Sequence, residues 1–237
     1  MKRKTRRFSC LALPCVLAGL AVGAMAATQS APSSYPRMAP LSEYLMTDHA
    51  AEIALARSAA PAPIADGATV LVLERRGYVT AVEGKNGFVC VVERGWMSPF
   101  DAPNFWNPKL RGPICFNPEA ARSILPMTVK RTALVLAGHS REDIKKDIEA
   151  ALAARQLPPL EPGAMSYMMS KQGYLGDQAG HWIPHLMFYT GTNVDWGADQ
   201  AGSPVMLNPQ FRGAPEPVNV FMVPAGKWSD GTAAPGR

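Results

Sequence analysis

Hydrophobic positions along the chain fall into two helical stripes and a series of short extended runs. Between Glu43 and Ala59, Leu45, His49, Ile53 and Ala56 share one arc at about 100° per residue. This predicts a helix capped by Ser42 and stopped by Pro61 and Pro63, with His49 turned toward the core. A second stripe, Ile144, Ile148, Ala151 and Leu152, predicts a helix from Arg141 to about Leu157. Ser140 is placed as its cap, Asp143 takes the capping-box position, and Pro158-Pro159 ends it. Thr69–Leu73, Tyr78–Val82 and Phe88–Val92 read as strands separated by turns at Arg76-Gly77 and Gly84–Gly87, an antiparallel meander. Thr132–Ala137, Met165–Ser170, Leu186–Thr190 and Asn219–Val223 read as further strands, and the proline-rich, aromatic stretch from Arg94 to Pro118 reads as a long loop. The expectation is an α+β fold: a mainly antiparallel sheet of about five to seven strands packed with two amphipathic helices, in one domain over residues 41–227. Residues 27–40, rich in Ala, Ser and Pro, read as a flexible linker, and residues 228–237 as a disordered tail.

The N-terminal pattern changes the picture. A basic stretch through Arg7, an apolar run from Phe8 to Gly23 and the small residues of Ala24-Met25-Ala26 read as a signal peptide over residues 1–26, cut after Ala26. The apolar run is too short to span a bilayer, contains Pro14, and is followed by no second run long enough to do so. Export to the periplasm or the medium is therefore expected, with no transmembrane segment in the mature chain. The formal charge of +5 comes entirely from Lys2, Arg3, Lys4, Arg6 and Arg7, so the mature chain is neutral. Without a global positive field, nucleic acid is not an expected partner. Cys10 and Cys15 leave with the leader. Cys90 and Cys115 remain, and in an oxidising compartment such a pair is expected to form a disulfide.

Candidate chemistry is sparse. Gly138-His139-Ser140 lies near a nucleophile-elbow pattern, but Glu142 stands where the second glycine belongs, and the serine is better read as a helix cap. His181 and His185 have H-x-x-x-H spacing, which suits one metal ion on a helix; Pro184 opposes a helix. On a strand, His185 and Met187 share a face and could hold a soft ion such as Cu(I) with Met165 or Met169, or these side chains could simply fill the core. Trp96, Phe100, Asp101 and Trp106 cluster in the aromatic loop. Flat rings beside polar groups suit a small molecule, glycan or peptide, although the same rings could seal one end of the sheet. Tyr174, His181 and His185 complete the candidate ligand site. The leading expectation is a periplasmic or envelope-associated binding protein using the aromatic loop. The alternative is a hydrolase or metal-binding protein with a site near His181 and His185, with Asp177 and His49 as further acid-base candidates. No cofactor is indicated.

The segments ERGWMSPF, FWNPKLRGPICFNP, PGAMSYMMSKQGYLGD and GHWIPHLMFY resemble an uncharacterised family of bacterial exported proteins. The resemblance spans nearly all of the mature chain, implies export and a single domain, and transfers no catalytic residue. The hairpins from Ala68 to Met97 are also similar to bacterial SH3-like barrels at the level of fold.

Overall fold

The structure is a computed structural model that describes residues 35–177, 182–208 and 214–234. Eight strands form one sheet: β1 (Thr69–Glu74), β2 (Gly77–Val82), β3 (Val89–Glu93), β4 (Gly112–Phe116), β5 (Met165–Met168), β6 (His185–Gly191), β7 (Met206–Leu207) and β8 (Val218–Pro224). Their order is β2-β1-β3-β4-β5-β6-β8-β7, and every neighbouring pair is antiparallel except β1 and β3. The α+β class with a mainly antiparallel sheet is thus correct, with one strand more than the expected range.

The expected meander is not what forms. After the β1–β2 hairpin the chain crosses beneath the start of β1 and emerges on its other side as β3, parallel to β1. Gly84 makes that crossing possible, because a Cβ there would lie 2.1 Å from the backbone nitrogen of Thr69. Lys85 and Asn86 donate their amides to the Gly67 carbonyl, and the Asn86 side chain donates to Ile64, so the crossing is held by its own polar groups.

Among the described residues there are five α-helices: α1 (His49–Arg57), α2 (Ala62–Ala65), α3 (Pro118–Ser123), α4 (Leu125–Leu136) and α5 (Arg141–Ala153). The first helix starts later than its stripe suggested. Leu41–Glu43 is only a 3-10 turn, and Asp48, not Ser42, caps α1 by accepting from the Ala51 amide. His49 consequently sits in the first helical turn and faces solvent rather than the core. The run Thr132–Ala137 is not a strand but the end of α4. Its buried stripe, Leu125, Thr128, Thr132 and Val135, includes polar residues that hid the helical period. The second helix forms as expected: Ser140 accepts from the Asp143 amide, and Ile144, Ile148 and Ala151 are buried. The aromatic loop conceals β4, five buried residues in a row.

Cys90 and Cys115 stand directly opposite on β3 and β4 and are joined by a disulfide, with Cα atoms 4.0 Å apart. Closing 25 residues of chain stabilises the fold by about 3.5 kcal/mol on the chain-entropy model. Both ends of the domain are better anchored than the composition suggested. The linker expectation fails from Tyr35 onward: Tyr35 donates to Asp177, while Met38 and Ala39 pack on the core. The tail expectation fails for residues 228–234, where the Ser229 amide donates to the Met169 carbonyl and Lys171 pairs with Asp230 at 2.5 Å. The leader expected at residues 1–26 lies outside the described residues. Among those residues no helix is long and apolar enough to cross a membrane.

Candidate functional site

The two faces of the sheet are covered differently. On one, α1 and α2 lay Ala56, Ala59, Ala60 and Ala65 against Val70, Cys90, Val92 and Cys115, and the small side chains allow close packing. Just beyond β3, Arg94 turns to this side and pairs with Glu52 of α1 at 2.7 Å, both side chains wholly buried. Arg94 also donates to the carbonyls of Tyr44 and Val92, so each of its three nitrogens has an acceptor.

The opposite face carries Val91, Ile114, Phe116, Met187, Tyr189 and Val220. Helices cover only part of it. Between this face, α4, the end of α5 and the 155–160 connection lies a cavity of about 810 Å³. Its walls are largely aliphatic and aromatic, including Ile124, Met127 and Leu160. The connection leaves α5 at Arg155, which adopts a left-handed φ of 54° and stands at the cavity's edge. Four of the polar residues that interrupt the apolar lining bond to one another in pairs. Thr128 donates to the Glu93 carboxylate at 3.0 Å, and Arg131 forms two hydrogen bonds to one oxygen of Glu216, at 2.6 and 3.0 Å. The other Glu216 oxygen is buried with no hydrogen-bond partner among the described residues. Burial pushes the Glu93 carboxyl up to about 7, against the smaller opposing pull of Thr128 and Arg131. Near neutral pH it can donate or accept.

A second cavity of about 670 Å³ adjoins the first and shares Glu93, Met97 and Met187 with it. Here the aromatic loop, through Met97, Pro99 and Asn104, meets the segment containing Leu175, Trp182 and His185. The Asn104 side chain reaches the Leu175 carbonyl at 3.4 Å. The two stretches expected to build the site are therefore brought together. Compared with protein-family models, with curated proteins and with solved structures, the chain matches none. The two cavities and their lining thus carry the functional argument.

The expected site residues separate into wall, core and surface. Trp96 is wholly buried, donates its indole N–H to Thr132 at 3.0 Å and packs on Tyr44; Trp106 packs edge-on against Phe105. These rings are core, joining the end of the sheet to α4 and α5, and cannot stack on a ligand. Phe100 covers the Arg131 guanidinium, 4.2 Å from its ring centre, and Asp101 is exposed. Tyr174 donates to Asp177, which also accepts from Tyr35 at 2.5 Å; these hydrogen bonds hold the Asp177 carboxyl below the usual carboxylate range. That leaves Asp177 acting as a clasp between the N-terminal segment and the 174–177 loop. His181 lies outside the described residues, and His49 is on the solvent side of α1.

His185 is the expected residue that does line a cavity. It is 7% exposed, its Nδ1 lies 2.8 Å from the Ile183 carbonyl, and the Trp182 ring packs edge-on against it. Burial pushes its imidazole below the ordinary histidine range. Met187 shares its face, but the register places a different methionine beside His185 than the two expected. Met168, not Met165 or Met169, stands opposite His185, while Met165 pairs with Phe188 on the other face. Among the described residues no three His, Cys, Asp or Glu side chains are grouped to hold one metal ion. Glu93, Thr128, Arg131 and Glu216 went unnoticed in the sequence, because Glu93 and Glu216 come from distant segments and meet α4 only in the fold.

Proposed function

We propose that the protein is an exported, non-catalytic binding protein that holds a small, largely apolar molecule bearing one hydrogen-bonding group. The observation that carries this reading is the cavity of about 810 Å³, apolar over most of its wall and interrupted by the Glu93–Thr128 and Arg131–Glu216 pairs. A volume in that range suits a small-molecule ligand, and a few placed polar groups in an apolar pocket orient one end of it. The unpartnered oxygen of Glu216 and the Glu93 carboxyl offer the hydrogen bonds that a buried ligand group would complete. Export is supported by the signal-like start, by the Cys90–Cys115 disulfide, which persists in oxidising compartments, and by the resemblance to bacterial exported proteins.

The reading is tested with N-phenyl-1-naphthylamine, an uncharged fluorescent probe with apolar rings and one N–H donor. Wild-type protein is expected to give saturable enhancement with micromolar affinity, and Leu160→Trp, which fills the cavity from its edge, should weaken binding at least tenfold while the melting temperature holds. Absence of saturable binding, or equal binding by the filled variant, overturns the reading. Export is checked by N-terminal sequencing of protein recovered outside the cytoplasm, which is expected to begin at Ala27.

A further inference from the structure

We propose that the second cavity is a binding site for a soft monovalent cation, Cu(I) or Ag(I), held by His185 Nε2 and the thioether sulfurs of Met168, Met187 and Met222. Strand register supplies the arrangement. Met168 on β5 lies directly opposite His185 on β6, Met187 is two residues further along the same face, Met222 on β8 lies opposite Met187, and Met206 on β7 lies opposite Met222. Residues directly opposite on neighbouring strands have Cβ atoms roughly 5 Å apart, and the three rotatable bonds of methionine let the sulfurs converge from those positions. Five of the chain's 12 methionines, Met97, Met168, Met187, Met206 and Met222, line this one cavity. These side chains border the cavity while Met168 and Met187 also pack into the core.

The imidazole is prepared as a ligand by its own hydrogen bond. A carbonyl oxygen can only accept, so the 2.8 Å contact to Ile183 places the proton on Nδ1 and leaves the Nε2 lone pair free in the neutral ring. No hydrogen bond to Nε2 is made among the described residues, although the side chain is more than nine-tenths buried and lines the cavity. The Trp182 ring packs edge-on against the imidazole at 5.7 Å and supports its orientation. One imidazole with uncharged thioethers selects a large, polarisable ion of low charge over Zn(II), Ca(II) or Mg(II), which need nitrogen, thiolate or hard oxygen donors. The two readings can be tested apart: Met187 borders both cavities, but His185, Met168, Met206 and Met222 line only the second and Leu160 only the first.

The test is anaerobic competition of the whole protein with bicinchoninate for Cu(I), paired with native mass spectrometry after adding Ag(I), which cannot change oxidation state under these conditions. Wild type is expected to withhold one equivalent of Cu(I) and retain one Ag(I). Met222→Leu, nearly equal in volume, should weaken Cu(I) retention at least tenfold, and His185→Gln should weaken it further, with N-phenyl-1-naphthylamine binding unchanged in both. Carbon-13 labelling of the methionine methyls should show Ag(I)-dependent shifts confined to Met168, Met187, Met222 and Met206. Complete loss of Cu(I) to bicinchoninate, wild-type retention by Met222→Leu, or shifts at other methionines overturns the proposal.

Discussion

The sheet carries two buried arginine–glutamate pairs, one on each side, and they live in different surroundings. Arg94 and Glu52 are wholly buried between β3 and α1; Arg94 also donates to two backbone carbonyls and borders the second cavity, while Glu52 lines neither cavity and keeps one oxygen unpartnered. Arg131 and Glu216 make the same contact at 2.6 Å and likewise leave one carboxylate oxygen unpartnered, but here both the arginine and the glutamate line the first cavity. Similar chemistry therefore serves two purposes. A glutamate walled in by α1 and β3 tolerates no loss of its arginine, whereas one that lines a cavity can turn its free oxygen to a ligand or to water.

Removing an arginine breaks this contrast most directly. Arg94→Ala is expected to cost about 3–5 kcal/mol by urea unfolding, the range for stranding one partner of a buried ion pair. Arg131→Ala should cost less, on the order of 2 kcal/mol, because cavity water can hydrate Glu216. Equal losses in the two variants would erase the distinction between the faces. The disulfide belongs to the sealed side, and replacing Cys90 and Cys115 together with serine should cost about 3.5 kcal/mol. Unchanged denaturation midpoints for that double variant would place the stability of the α1 side elsewhere.

Glu93, the last residue of β3, then allows a pH test on the cavity side. Glu93 has its carboxyl raised from 4.5 to about 7, so the folded state binds this proton more tightly than the unfolded state. The sign follows: stability should fall as pH rises from about 4.5 to about 7 and then level off, by on the order of 3 kcal/mol. Glu93→Gln should remove that slope, as seen in melting temperatures taken across the range; a slope that survives assigns it to another group. The smallest effect is expected at His49. His49→Ala should change stability by no more than about 0.5 kcal/mol, whereas His185→Ala should cost more than about 1 kcal/mol by leaving the Ile183 carbonyl without its donor. A larger loss at His49 would restore it to the core.

Much of this was legible along the chain because it depends on local spacing. Ser140 and the stripe of Ile144, Ile148 and Ala151 specify α5, and β1, β2, β3, β6 and β8 follow from runs of β-branched and aromatic residues between turns. The disulfide followed from elimination, since only two cysteines remain after a leader is removed. His185 and Met187 were recognisable as one face of one strand because side chains alternate along any strand. The α4 helix was not legible: its buried stripe contains Thr128, Arg131 and Thr132, whose burial depends on Glu216, Trp96 and Glu93, partners from elsewhere in the chain.

What the sequence determined alone were patterns whose period or count is local: five of the strands, the capped helix, the cysteine pair and the signal-like start. Only the tertiary structure decided which strands are neighbours and in what register. A shift of one residue moves every side chain to the opposite face, so no local pattern distinguishes Met168 from Met165 or Met169 as the neighbour of His185. The same holds for the cavities: composition shows that Trp96 and Trp106 are aromatic, while packing against Tyr44, Thr132 and Phe105 makes them core. Incomplete helical cover over one face of the sheet leaves the space beside Glu93, Arg131 and His185, and that space arises from how distant elements meet.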